Sequence, residues 1–478
     1  MKKYDLAIIG AGTGGYNAAI RAAQLGMNVV LIEKAKVGGL CLQWGCIPSK
    51  ILLHYAKLYH DAKRAVAEGA LIAPGLSFDY DAMVAVSRRR VATETAGLKG
   101  LLSSHRIIIK EGTARFMDAH HLIVATDDEP ETVTAGHILI AAGRSYQQLP
   151  GYEVDHHTII ASDDAMSLTA APKRIAIIGG GVEAVEFASL FNALDVPVSI
   201  LKARPGLLRT LDDEIATELE THFRNSGVEM VFDMDFEHAA PARSDRGIEL
   251  TVRGERRIFD KMLMSIGIDP RPVSGSLNLA AAGVDTDERG FIRVNPETYG
   301  TSTQNIHAIG DIISLPCRTH PGLAHAAGRE GEYVAELLGG KNPPRINYDW
   351  MPYPVFTIPD LASVGLSEAQ ARERYKDAPE RVLTGRFRYE WLGKALALNT
   401  PTGLVKVVVD GATGEILGCH IFGEAATEYI TEAAEAMRAE DVLDLLLDRQ
   451  ITSHPTFSEA LKEAFGDVLK RSIHTPPR

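Results

Sequence analysis

Four cysteines in 478 residues are too few to staple a secreted disulfide scaffold. No run approaches the ~18 uninterrupted apolar residues of a membrane span. Positive charge is in deficit: 50 Lys and Arg against 62 Asp and Glu leave a formal net charge of −12. That balance argues against a nucleic-acid coat and against a binder of anionic membranes. The first apolar run, Leu6 to Ile9, is too short for a signal peptide, and Asp5 interrupts its approach. The reducing cytoplasm is therefore the expected compartment. What is present suits an ordinary folded protein, with 45% apolar and 23% charged residues. At ~150 residues per domain the length predicts about three domains.

Leu6 to Ile9 ends at Gly10-Ala11-Gly12-Thr13-Gly14-Gly15, an Ala-rich helical stretch runs from Tyr16 to Leu25, and a second apolar run, Val29 to Ile32, ends in Glu33. Strand, glycine turn, helix and strand make a βαβ unit. Gly10, Gly12 and Gly15 fit the spacing that lets backbone approach a pyrophosphate at a helix N-terminus. Glu33 stands where an acid bonds adenosine ribose hydroxyls. The unit recurs 169 residues later: Arg174 to Ile178, then Gly179-Gly180-Gly181-Val182-Glu183-Ala184, a helix to Leu194 and a strand from Val198 to Leu201. In this copy Ala184 replaces the last glycine and Lys202 replaces the acid, with Arg204 and Arg209 nearby. A carboxylate repels a 2′-phosphate and a basic cluster attracts one, so the first site suits FAD or NAD and the second leans towards NADP. Lys202 and Arg204 as plain solvated cations remain the alternative. Further apolar runs end in nucleotide-facing turns at Gly143, Gly267 and Gly310-Asp311. Beyond Pro343-Pro344 the pattern changes to strands around Val355 to Val364 and Gly403 to Val409, followed by helices from Ala425 to Leu447.

Cys41 and Cys46 enclose Leu42-Gln43-Trp44-Gly45, while Cys317 and Cys419 stand alone. On a regular helix such a pair has Cα atoms roughly 8–9 Å apart, and a disulfide needs about 4.4–6.8 Å. A bridge therefore requires a helix break, which Gly45 and Gly38-Gly39 permit. A redox disulfide is the favoured reading. A metal site, two inert thiols and a structural disulfide are the others. A working thiol also needs a proton acceptor. His454-Pro455-Thr456-Phe457-Ser458-Glu459 offers an imidazole that Glu459 can orient, or a plain turn at a helix start.

Gly38-Gly39-Leu40-Cys41-Leu42-Gln43-Trp44-Gly45-Cys46-Ile47-Pro48-Ser49-Lys50, with both fingerprints, Gly310-Asp311 and the His-Pro element, resembles the FAD-dependent pyridine nucleotide–disulfide oxidoreductases over essentially the whole chain. Pro48-Ser49-Lys50, Leu323-Ala324-His325-Ala326 and Ser453 to Ala460 look most like the dihydrolipoamide dehydrogenase branch. Gln43-Trp44 stands where that branch has Asn-Val, and Glu183 stands where an apolar or aromatic residue is usual.

The resemblance implies an α/β fold with two Rossmann-like domains and a C-terminal α+β dimerisation domain. The segments are an FAD domain in 1–150 and 276–345, an NAD(P) domain in 151–275 and an interface domain in 346–478. It implies Cys41 as the interchange thiol, Cys46 as the thiol facing the flavin, and Lys50 with Glu186 as the ion pair beside it. It assigns Asp311 and Ala324 to flavin contacts, and His454 with Glu459 to a dyad delivered by the partner of a homodimer. The expected activity is oxidation of dihydrolipoamide on a lipoyl carrier protein, with FAD and NAD or NADP as cofactors and no metal. An NADPH-dependent reductase of another small disulfide, or a flavin subunit dedicated to a specialised lipoyl carrier, are the alternatives.

Overall fold

A computed structural model describes residues 3–269, 271–316, 320–440 and 442–476. Cys317 lies outside the described residues. The opening βαβ unit forms as the pattern predicts: β1 (Lys3–Ile9), α1 (Thr13–Gln24) and β2 (Val29–Glu33). α1 starts three residues earlier than its Ala-rich stretch, because Gly12 in extended backbone serves as its N-cap. Helices α2 (Gly39–Trp44), α3 (Cys46–Ala67) and α4 (Tyr80–Ser104) follow. Next come β3 (Ile108–Glu111), β4 (Thr113–Phe116), β5 (His121–Ala125) and β6 (Glu131–Ile140). The sheet runs β3-β2-β1-β6-β5-β4, and strand Ile306–Ala308 returns from far along the chain to pair with β6. β1 and β2 are buried along almost their whole length, as a parallel sheet covered on both faces requires.

A second sheet repeats the plan. Its order is Glu229–Val231, Val198–Leu201, Ile175–Ile178, Lys261–Met264, Ile159–Ile160, all parallel. Helix Val182–Ala193 occupies the place of α1. An antiparallel three-stranded sheet, Ala242–Ser244, Gly247–Val252 and Glu255–Phe259, is attached to it.

The C-terminal sheet has five antiparallel strands, ordered Tyr353–Val355, Leu361–Gly365, Ile416–Gly423, Gly403–Asp410, Val382–Arg388. The strand segments expected around Val355 to Val364 are Tyr353–Val355 and Leu361–Gly365, separated by a turn at Pro359, which has no N–H to give a ladder. The helical stretch from Ala425 divides into Ala426–Arg438 and Leu443–Arg449. Among the described residues no helix is long and apolar enough to cross a membrane.

Candidate active site

The two cradles match at their first two fingerprint glycines and differ at the last position. Gly10 and Gly179 have φ of +102° and +131°. A Cβ on either would collide with a neighbouring strand's terminal carbonyl, Ala141 O for Gly10 and Ser265 O for Gly179. Gly12 and Gly181 face open space instead. The nearest atom to a Cβ at Gly12 lies 3.9 Å away, and none lies within 4 Å at Gly181. Neither helix has a side-chain cap at its N-terminus, so the first-turn amides of each are free to receive phosphate oxygens. A Cβ at Gly15 would strike the Gly10 carbonyl, whereas the second cradle buries the methyl of Ala184. These residues fit dinucleotides.

Glu33 is buried at the end of β2. Its Oε2 accepts from Ala11 N at 2.7 Å and its Oε1 from Ala35 N at 2.8 Å, which orients the carboxylate and leaves lone pairs for ribose hydroxyls. At the equivalent strand end Lys202 packs over Gly180 and donates to the Arg204 carbonyl at 2.9 Å. Burial, then the neighbouring Arg209 and Arg204, lower the Lys202 pKa. Glu220 also enters this loop, accepting from Leu207 N at 2.8 Å. Glu183 accepts from Ser265 Oγ at 3.0 Å. Gly267 has φ +119°, close to Gln147.

Cys41 on α2 and Cys46 at the start of α3 are disulfide-bonded, with Cα atoms 4.6 Å apart. The helix break predicted from the spacing lies at Gly45 (φ −139°), where a Cβ would sit 2.9 Å from the Leu40 carbonyl. Gln43 pins α2 by donating to Val37 O and Thr95 Oγ1, both at 2.7 Å. Trp44 lies under the Lys36 ammonium, 5.9 Å from ring centroid to Nζ. It lines a cleft of about 770 Å³ with Arg88 and Asp163. One turn into α3, Lys50 forms an ion pair with Glu186 at 2.7 Å. Glu186 is buried and also accepts from Phe356 N at 3.0 Å, and the Phe356 ring lies beneath the Lys50 ammonium. Helix α3, helix Val182–Ala193 and the C-terminal domain thus meet at this pair.

Gly310-Asp311 follows strand Ile306–Ala308, and Arg144, just after Gly143, donates to Asp311 at 2.8 Å. Ala324 opens helix Ala324–Leu338, whose N-terminus has no side-chain cap. Sequence reasoning missed Arg144 and missed Glu330, whose carboxylate accepts from Gly310 N at 2.7 Å. Neither carries a local signal, since Arg144 and Asp311 are 167 residues apart in the chain.

His454 Nδ1 lies 2.9 Å from Glu459 Oε2, and Thr456 N donates to Glu459 Oε1 at 2.7 Å. Burial opposes ionisation of Glu459, but the His454 and Thr456 hydrogen bonds prevail and hold its carboxyl below the usual range. The His454 side chain is 77% exposed. Among the described residues no hydrogen bond or ion pair links His454 or Glu459 to the Cys41–Cys46 segment.

Two dinucleotide cradles around a bridged pair of cysteines form a route for electron pairs between sulfur and nicotinamide, and the chain is a flavin-dependent disulfide oxidoreductase that works with a pyridine nucleotide. It belongs to the pyridine nucleotide-disulphide oxidoreductase family, whose model matches residues 4–331, while the family's dimerisation domain matches residues 351–465. It is 34% identical to the mitochondrial dihydrolipoyl dehydrogenase of Pisum sativum over 98% of this chain and 92% of that one. It is also 34% identical to the dihydrolipoyl dehydrogenase of Trypanosoma brucei brucei, over 98% of both chains. The HOCl-induced flavoprotein disulfide reductase RclA of Escherichia coli superposes with a TM-score of 0.85 at 26% identity, covering 98% of this chain and 99% of that one.

Proposed function

We propose that this chain oxidises dihydrolipoyl groups on a carrier protein and passes the electron pair to NAD or NADP. The observation that carries this reading is the Cys41–Cys46 bridge at a helix break, one turn from the Lys50–Glu186 pair. The names of the pea and trypanosome relatives support the substrate.

A substrate thiolate attacks Cys41 Sγ, the Cys41–Cys46 bond breaks, and Cys46 leaves as a thiolate. The second substrate thiolate then attacks its own sulfur in the mixed disulfide, releasing Cys41 and an oxidised lipoyl ring. His454, oriented by Glu459, takes the thiol proton, as a base set by a third group does. The electron pair now rests on the reduced Cys41 and Cys46. Bound FAD supplies the two-electron relay from there to the nicotinamide. Lys50 and Glu186 hold one another in place beside it, Asp311 and Glu33 receive hydroxyls of its ribityl and ribose parts, and the amides after Gly12 receive its pyrophosphate. The division supporting these roles is an FAD domain in 1–150 and 276–345, an NAD(P) domain in 151–275 and a dimer interface in 346–478. The return of Ile306–Ala308 to the first sheet favours it. A homodimer brings the exposed His454 to the partner's cysteines.

Anaerobic addition of dihydrolipoamide to the purified flavoprotein is expected to raise a long-wavelength thiolate–flavin band, with the electron pair held on the two cysteines. In Cys46→Ser, dihydrolipoamide should raise no such band, while the reduced nicotinamide still bleaches the flavin. Undiminished dithiol turnover in this variant overturns the disulfide mechanism.

Ala184, Lys202, Arg204 and Arg209 favour a second reading, NADPH-dependent reduction of another small disulfide. Comparing kcat/KM with NADH and NADPH separates the two, and a strong NADH preference retires the second. If NADPH is preferred, Lys202→Glu should move the preference towards NADH by about tenfold or more, since it replaces attraction for a 2′-phosphate by repulsion.

A further inference from the structure

Glu330, midway along helix Ala324–Leu338, has a fully buried side chain. A buried carboxylate persists only where donors meet its lone pairs. Here Oε2 accepts from Gly310 N at 2.7 Å, and Oε1 accepts from His320 Nε2 at 2.8 Å and from the Tyr348 hydroxyl. Gly322 N donates to His320 Nδ1 at 3.1 Å, so the ring hydrogen belongs on Nε2, facing Glu330. The Tyr299 hydroxyl lies 2.9 Å from that of Tyr348. Burial first, then the charge of Glu330, raises the pKa of both phenols, so both stay protonated and donation runs from Tyr299 through Tyr348 to Glu330.

The Gly310 N–H belongs to the turn that presents Asp311, and Gly310 has φ +75°. Asp311 is held on its side chain by Arg144, and the N–H of Gly310, one residue before it, is held by Glu330. Tyr348 stands three residues before the matched dimerisation domain begins. We propose that Glu330 is a positioning residue for the flavin: it fixes the Gly310-Asp311 turn and, through Tyr348, makes that setting depend on how the C-terminal domain is seated. The inference rests on reading Asp311 as a flavin ligand.

The test is FAD release from full-length holoenzyme, followed by recovery of flavin fluorescence on dilution, for wild type, Glu330→Gln and Tyr348→Phe. The amide of Glu330→Gln points an NH2 group at one of three donors, so the Kd for FAD should rise roughly 10–100-fold. Tyr348→Phe removes one donor and should raise it about fivefold. With FAD in excess, the thermal midpoint and the Kd for the nicotinamide should match wild type in both variants. A wild-type Kd for FAD in Glu330→Gln overturns the proposal. So does a loss of thermal midpoint and nicotinamide affinity that excess FAD fails to restore, because a merely structural role predicts it. If Glu330→Gln does not fold, an unchanged Kd in Tyr348→Phe overturns it alone. Wild-type chain that takes up no FAD overturns the functional reading together with this one.

Discussion

At the scale of single residues, burial separates a reactive sulfur from an inert one. Cys419 lies inside the C-terminal sheet, and burial pushes its thiol pKa far up, so it is a packing residue. Cys46→Ser should cost at least about a thousandfold in dithiol turnover, whereas Cys419→Ala should leave kcat unchanged, both read in a lipoamide assay. A buried histidine gives a prediction of another kind. His307 is 8% exposed, and burial, then His137, lower its pKa to about 4. The unfolded chain binds that proton near pH 6.5, so between about 6.5 and 4 the unfolded state holds more protons than the folded one. Stability is then present in full above pH 6.5 and falls as the pH drops to 4, by roughly 3 kcal/mol at about 1.4 kcal/mol per pH unit. His307→Gln should flatten the fall of the thermal midpoint over that window. A pH profile parallel to wild type counts against it.

At the scale of elements, the cradles separate folding from binding. Gly15→Ala places a methyl against the Gly10 carbonyl, and such overpacking should destabilise the first domain by about 3 kcal/mol or more. Gly12→Ala meets only open space, and its φ of −70° suits alanine. This variant should fold within about 1 kcal/mol of wild type yet emerge colourless, because the methyl occupies the place of the pyrophosphate. The ratio of flavin to protein absorbance, beside a melting curve, distinguishes the two variants. The same contrast shows what was legible in the chain. Both βαβ units could be read because strand, glycines and helix are contiguous and their chemistry repeats after 169 residues. The break at Gly45 could be read because five-residue spacing on a helix conflicts with a disulfide. The hairpin strands Gly247–Val252 and Glu255–Phe259 were not read, since short alternating strands give a weak period. Glu330 was not read either, because its partners Gly310, His320 and Tyr348 lie 10 to 20 residues away and converge only in the folded chain.

At the scale of the whole molecule, the three bodies are fastened where the chemistry needs them. Lys406, buried in strand Gly403–Asp410, lies 2.9 Å from Asp212, 3.0 Å from Glu214 and 2.9 Å from Glu368. Asp212 also caps helix Asp213–Asn225 of the second nucleotide domain. With Lys50, Glu186 and Phe356 this fixes the C-terminal domain against both nucleotide domains. The dyad has no such fastening to the cysteines. His454 stands exposed, carried by a segment that matches the family's dimerisation domain. Among the described residues no hydrogen bond joins His454 to either cysteine, so the proposed base calls for a second copy related by twofold symmetry. On the proposed reading, each copy lends its His454 to the other's Cys41–Cys46. Cys46→Ser and His454→Gln homodimers should each be close to inactive. If the two are unfolded together and refolded as an equal mixture, half of the dimers carry one of each chain. Such a dimer has one site with both lesions and one with neither, so the mixture should regain about a quarter of wild-type turnover. A mixture that exchanges subunits, shown by tagged chains, and stays as inactive as its parents would place the dyad and the cysteines of one active site in the same chain.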